Sequence, residues 1–184
     1  ELAIPTTFNF LGPLANPAQP IATALGVADK KIAPLMALEL AQRGRTALVF
    51  RSEDGLDELS TTAEARIWQV SNGSVTEHVL DARELGLTRV DQQALLGGDA
   101  KHNAEVAAKL FAGQDFENSS AIREVVLLNA AAGIVAFELA KDAELANESI
   151  ESRFTKALAR AEQALTSGEA ARKLSSWSQA TQSA

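Results

Sequence analysis

Cysteine is absent from all 184 residues, which excludes disulfides, thiolate metal sites and a cysteine nucleophile. That absence fits a reducing, cytoplasmic setting. Also missing is any lysine- or arginine-rich run, and the formal net charge is −7. A broad basic face for nucleic acid is therefore disfavoured. Long apolar runs are scarce too. The uncharged stretch of note, Val125 to Phe137, is too short to cross a bilayer and predicts a buried helix. No signal-peptide pattern is visible. Glu1 stands where an initiator methionine would, inside what reads as a functional segment. The expectation is that the front of the protein is missing or lies on another polypeptide.

What is present suffices for a globular domain. The chain is long enough for one core, and 46% of it is apolar. Its most informative stretch is Thr46 to Ser60. Ala47 to Phe50 is a short β-favouring run without charge, following Arg43-Gly44-Arg45 as a helix ending. This predicts a strand buried on both faces, as in a parallel sheet. The strand runs into a loop with four carboxylates, Glu53, Asp54, Asp57 and Glu58, around the flexible Gly55. Ligands of open α/β sheets bind just beyond the carboxyl ends of strands. Adjacent Asp57 and Glu58 at such a place suit a hard divalent cation that keeps several waters. The bland reading, a solvated acidic loop, stands beside it.

Around that stretch the pattern is regular. Phe8 to Pro17 contains two X-Pro steps and predicts a loop that packs Phe8, Phe10 and Leu14 into the core. Ile21 to Val27 predicts a strand. Asp29 opens a helix with Ile32, Leu35, Met36 and Leu40 on one face, Pro34 near its start and Gly44 at its end. Strand, helix and strand make a βαβ unit. Ala65 to Val70 meets Asn72-Gly73, a strong hairpin signal, pairing Val70 with Val75, Trp68 with Glu77 and Arg66 with Val79. Arg66 and Glu77 then become diagonal partners.

Helices dominate the second half. Thr88 and Asp91 predict a capping box, Gly97-Gly98 a stop, and Asp99 the cap of a helix running to Gly113. Ser119 or Ser120 begins the helix that carries Ala121 to Leu139, apolar nearly all round except for Asn129, which must find hydrogen bonds inside. From an Asn147 cap, Ile150, Phe154, Ala157, Leu158, Ala161 and Leu165 form one stripe. A last short helix buries Leu174 and Trp177. His78 and His102 read as surface residues. The expected division is a domain over residues 1–177 and a fraying polar tail over 178–184. The fold class is α/β, part of a mostly parallel sheet flanked by helices with a β-hairpin. Two parallel strands and a hairpin are too little sheet for so many apolar helices, so roughly half the strands are expected to be absent.

Several segments in this order resemble anthranilate phosphoribosyltransferase, the tryptophan-pathway enzyme. They are Phe8-Asn-Phe-Leu-Gly-Pro-Leu-Ala-Asn-Pro17, Glu53-Asp-Gly-Leu-Asp-Glu58, Leu96-Gly-Gly-Asp-Ala100 with Asn103-Ala104, Val126-Leu-Leu-Asn-Ala-Ala131, and Ser167-Gly168 with Ala170. The match covers the C-terminal part of that family. It implies a small helical domain and N-terminal strands beyond this chain, and transfer of phosphoribosyl from phosphoribosyl pyrophosphate to the anthranilate amine. It implies Mg²⁺ held with help from Asp57 and Glu58, and Gly12 and Pro13 lining the anthranilate channel. A homodimer and the missing N-terminal half are the implied partners, with no nucleic acid or membrane. The glycine-rich pyrophosphate loop and an anthranilate-binding arginine would belong to that half. Arg51-Ser52 departs from the family's usual His-Gly. Two rivals are a nucleoside phosphorylase-like enzyme, which needs no such acidic pair, and a non-catalytic nucleic-acid-binding relative, which needs a basic stripe. An inert fragment that folds only with its missing half is a third.

Overall fold

A computed structural model gives the fold of residues 8–182, with side chains from residue 11 onward. Its centre is a four-stranded sheet in the order β1-β2-β3-β4: β1 (Ala22–Gly26), β2 (Thr46–Ser52), β3 (Ala65–Ser71) and β4 (Ser74–Leu80). β1 and β2 run parallel, joined through helix α2 (Ile32–Gln42), while β3 and β4 are antiparallel. Apolar side chains on both faces of β2 explain why helices cover both. Ala47 and Val49 face α2 together with Leu25, Met36, Leu40, Trp68 and Val70. Leu48 and Phe50 face the other way, into a core with Ile67, Leu128, Val135 and Phe154. The strand is buried on both sides, as its composition requires.

The hairpin follows the expected register: Val70 pairs with Val75, Trp68 with Glu77 and Arg66 with Val79. Its turn residues Asn72 and Gly73 have φ of 51° and 72°, the left-handed pair that matches the twist of two strands. Arg66 reaches Glu77 diagonally at 2.6 Å.

The second face is built by α4 (Ser119–Lys141) and α5 (Ile150–Thr166). Leu127 of α4 meets Ala161 and Leu165 of α5, with Leu158 packed alongside. α3 (Ala100–Phe111) is capped by Asp99, which accepts from the His102 amide at 2.8 Å, and ends before Gly113. Among its residues only Leu110 is buried, so α3 sits loosely on the rest.

Several local expectations need correction. Phe8–Leu14 is a short helix, α1, with Pro13 inside it, not a loop. The residue before a proline is kept from helix partly by its Cβ, which Gly12 lacks. Leu14 does pack beside the α2-side core, whereas the expected packing of Phe8 and Phe10 lies outside the described side chains. α2 starts only at Ile32, and Asp29 lies ahead of it, accepting from the Lys31 amide at 2.7 Å and the Ile32 amide at 3.3 Å. The buried face of α2 is Ala33, Met36, Ala37, Leu40 and Ala41, and Leu35 is 58% exposed. Small alanines let the helix lie close to the sheet and turn Leu35 outward. Thr88 opens no helix: Asp91 is itself the cap of a short 3-10 turn, Gln92–Leu95, and the Thr88 amide donates to Glu124 at 2.8 Å. By contrast, α4 does begin at Ser119 as expected, preceded by Asn118 in a left-handed conformation. Ser149, not Asn147, caps α5, because a 3-10 turn over Ala143–Asn147 precedes it.

The last helix, α6 (Glu169–Gln182), runs past Ser178 into the expected tail, and Trp177 is 65% exposed instead of buried. His78 is not a surface residue either. It is partly buried on the α5 side, its Nε2 finds no described partner, and desolvation followed by the nearby Arg153 charge holds it below the usual imidazole pKa. Arg153 is the polar residue the α5 stripe concealed: it is 3% exposed and donates to Gln69.

Phe154 is fully buried where α5 meets the sheet. Phe154→Ala is expected to lower unfolding free energy by about 3–5 kcal/mol in urea titrations of whichever folded species contains this chain.

Candidate functional site

β2 carries buried Arg51 and Ser52 to its last residues, and the chain then folds back tightly. The Ser52 amide donates to the Leu56 carbonyl at 3.0 Å and the Gly55 amide to the Ser52 carbonyl at 3.1 Å. Gly55 sits at φ +97°, a conformation side chains resist. The Glu53 amide donates to the Glu64 carbonyl at 2.8 Å, closing the loop against the start of β3.

Within this frame the four acids separate into two kinds. Glu53 accepts from Arg66 at 2.7 Å and from Arg51 at 2.9 Å, and these two guanidinium groups, Arg66 foremost, hold its carboxyl below the ordinary range. Asp54 is partly buried, which pushes its pKa up. Hydrogen bonds from Thr62 and the Leu56 amide outweigh that and leave it lowered. Asp57 and Glu58 are exposed and have no hydrogen-bond or ion-pair partner among the described residues. Two acids therefore build the loop, and two are presented by it.

The exit of the loop is fixed from the core. The Leu59 amide donates to Asn129 Oδ1 at 3.0 Å, and Asn129 Nδ2 donates back to the Leu59 carbonyl at 2.7 Å and to Val125 at 2.9 Å. Asn129, partly buried, thus finds the hydrogen bonds its sequence context demands, and its bonds end one residue beyond Glu58. Its α4 position among apolar neighbours was legible, but its partner, 70 residues away in sequence, was not.

A second tie lies on the other side of the loop. Asp81, 8% exposed, accepts from Arg83 and Arg89, and Arg89 also donates to the Thr62 carbonyl at 3.2 Å. Thr62 in turn donates to Asp54. Arg83 first, then Arg89, hold the Asp81 carboxyl far below the usual carboxylate range, against the opposing cost of burial.

Arg51, which stands where a histidine was expected, turns its charge away from the acidic pair. Its Nε donates to the Ala28 carbonyl at 3.2 Å and its Nη1 to Glu53. Beside Glu58 opens a cleft of about 820 Å³ between α3 and α4, lined by Leu96, Val106, Leu110, Phe116, Ile122 and Val126 among others. Gly12 and Pro13 are exposed and stand elsewhere. The neighbouring Leu14 carbonyl accepts from Arg43 at 2.9 Å, just before β2 begins, so the structure does not bring them to Asp57 and Glu58 at the other end of that strand.

The fit of the acidic pair to Mg²⁺ rests on the donor set. No group of three metal-ligating side chains occurs among the described residues. A small hard cation does not need one, because it keeps several waters and binds through one or two carboxylates plus substrate phosphates. Two unpartnered carboxylates at the carboxyl end of a parallel strand meet that requirement.

Comparison with known proteins places this geometry in context. Residues 1–171 match the family model described as "Glycosyl transferase family, a/b domain". The anthranilate phosphoribosyltransferase of Leifsonia xyli subsp. xyli is 50% identical over 98% of this chain and 51% of its own length. The crystal structure of anthranilate phosphoribosyltransferase from Thermus thermophilus superposes with a TM-score of 0.78 at 32% identity, covering 95% of this chain and 47% of that one. A variant of the Saccharomyces cerevisiae enzyme with Mg bound gives 0.76 at 26% identity, over 94% and 46%. The chain spans about half the length of the curated relatives it matches.

Two outcomes test the loop's supports. Asn129→Leu leaves the Leu59 amide and carbonyl unpaired and should cost about 2 kcal/mol in chemical denaturation. Asp81→Asn should lower stability at neutral pH. The depressed carboxyl contributes fully above its unfolded pKa, so the gap between wild type and variant should shrink as pH falls below about 4. Thermal melts across pH would show it.

Proposed function

Because this chain belongs to the glycosyl transferase family whose α/β domain its residues 1–171 match, we propose that it forms the C-terminal part of an anthranilate phosphoribosyltransferase. The parent enzyme moves phosphoribosyl from phosphoribosyl pyrophosphate to the amine of anthranilate, a cytoplasmic step of tryptophan biosynthesis. The observation that carries this reading is the presentation of Asp57 and Glu58, alone among the loop's acids, at the carboxyl end of β2.

The reaction forms a bond between the amine nitrogen and the ribosyl carbon, breaks the bond from that carbon to diphosphate, and releases one amine proton. The difficulty lies in the charge gathering on the leaving diphosphate. Mg²⁺ bound there supplies Lewis-acid stabilisation of that charge and a template for the donor. Asp57 and Glu58 would hold the ion, directly or through its waters. Neither is assigned as general base, since a carboxylate facing a cation is a poor proton acceptor at neutral pH. Arg51, tied to Glu53 and Ala28, leaves the pair's negative charge intact. Glu53 and Asp54 serve as struts, and Asn129 keeps the following peptide in place.

The remaining machinery, including the groups that bind the donor's phosphates and the anthranilate carboxylate, is assigned to the other half of the parent protein. Support comes from the sheet itself. β1 pairs with β2 alone among the described strands, and α4 leaves Val126 and Phe137 exposed on one side. A homodimer belongs to the same reading as the parent's assembly. Neither rival gains support: the relatives carry the transferase name, and the charge of −7 offers no basic stripe.

Replacing Asp57 and Glu58 together with alanine in the full-length parent should depress turnover most strongly at limiting Mg²⁺. Unchanged steady-state rates at limiting metal would remove the role given to them.

A further inference from the structure

We propose that Gly26 is a positioning residue for the acidic pair, a role that rests on the reading of Asp57 and Glu58 as the metal-holding carboxylates. Gly26 is the last residue of β1 and pairs with Phe50 of β2. A Cβ built on it would overlap the carbonyl oxygen of Asp57 and lie 2.7 Å from the carbonyl carbon, with the Phe50 ring 3.5 Å away. The peptide of Asp57 therefore lies directly across the end of β1, in the space a side chain would take.

Conformation does not explain this glycine. Gly26 is not among the residues with positive φ, so any amino acid could adopt its backbone. A glycine inside a strand weakens the strand, and close approach of another backbone is among the reasons for one. Here the approaching backbone belongs to one of the two acids.

What would yield to a side chain at residue 26 is also determined. β1 cannot recoil, because the next residue, Val27, donates to the Phe50 carbonyl at 2.9 Å. The loop cannot move at its entry, where Ser52 and Glu53 are hydrogen-bonded to Leu56 and Glu64, nor at its exit, where Asn129 grips Leu59. The stretch left to shift is Asp57-Glu58. A Cβ at residue 26 would thus displace the two carboxylates selectively while the surrounding sheet persists. Gly26 leaves the room at the end of β1 that the Asp57 peptide takes, Asn129 holds the next peptide from α4, and the two together set where the carboxylates project.

The test uses the full-length parent with Gly26→Ala, alongside Ala24→Val, which adds bulk at an exposed position of the same strand. Mg²⁺ dependence of turnover, Mg²⁺ affinity by calorimetry in the presence of inorganic diphosphate, and thermal unfolding are measured together. Gly26→Ala should weaken metal affinity about ten- to hundredfold, as loss of outer support around a metal site does, with the change in Mg²⁺ requirement exceeding any change in kcat at saturating metal. Ala24→Val should leave the Mg²⁺ dependence as it is. A folded Gly26→Ala protein with wild-type metal affinity would overturn the proposal. So would a Gly26→Ala protein without a cooperative transition, since the glycine would then serve the fold and not the site. A parallel Asp57→Asn, Glu58→Gln variant separates the two layers: no effect on metal there defeats the metal reading itself, whereas an effect there and none at Gly26 defeats only the positioning role.

Discussion

The site depends on one partly buried carboxamide. Asn129 lies in the longest described helix, among apolar neighbours where an unpaired amide would cost on the order of 1–3 kcal/mol. Its hydrogen-bonding groups are satisfied by the peptide of Leu59 and by Val125. The need to pair that side chain and the need to hold the loop after β2 are met by the same bonds. An interior requirement of α4 thereby becomes a fixed coordinate for the residue beside Glu58. The large apolar surface of α4, buried against β1, β2 and α5, holds the carboxamide in place.

Charge is arranged around that anchor by elimination. Four carboxylates in six residues would repel one another, and the fold relieves this by engaging two of them. Arg51 and Arg66 neutralise Glu53, while Thr62 and the Leu56 amide stabilise Asp54. The Asp81, Arg83 and Arg89 cluster secures Thr62 from behind. A cation arriving at Asp57 and Glu58 therefore meets the two acids whose charge nothing else in the described chain has already met. The chain's net charge of −7 is unfavourable for the anionic substrates of the proposed reaction, and a divalent ion held there would reverse it locally.

Where sequence reasoning went astray, a local rule met a tertiary exception. The Gly-Pro step in α1 predicted a loop, yet glycine removes the Cβ clash that gives the rule its force. Leu35 fitted the apolar stripe of α2, but the alanine face lets the helix approach the sheet more closely and so wins the interior. Ser149 and Asp91 displaced the expected caps because short 3-10 turns shift the helix starts, and such turns leave little trace in periodicity. Arg153 and His78 hid on faces that alternate with apolar residues, where pattern alone assigns no partner.

From the order of residues alone one could know that β2 is buried on both faces, that Asn72-Gly73 folds β3 onto β4 in a given register, and that acids crowd the end of a parallel strand. These follow from short-range rules: alternation, turn chemistry, composition. Which two acids are presented, what Asn129 holds, and why residue 26 carries no side chain were decided only when distant segments met. Each of those outcomes is a contact between peptides far apart along the chain, at Leu59 and Asn129, at Gly26 and Asp57, and no local pattern encodes the approach of one backbone to another.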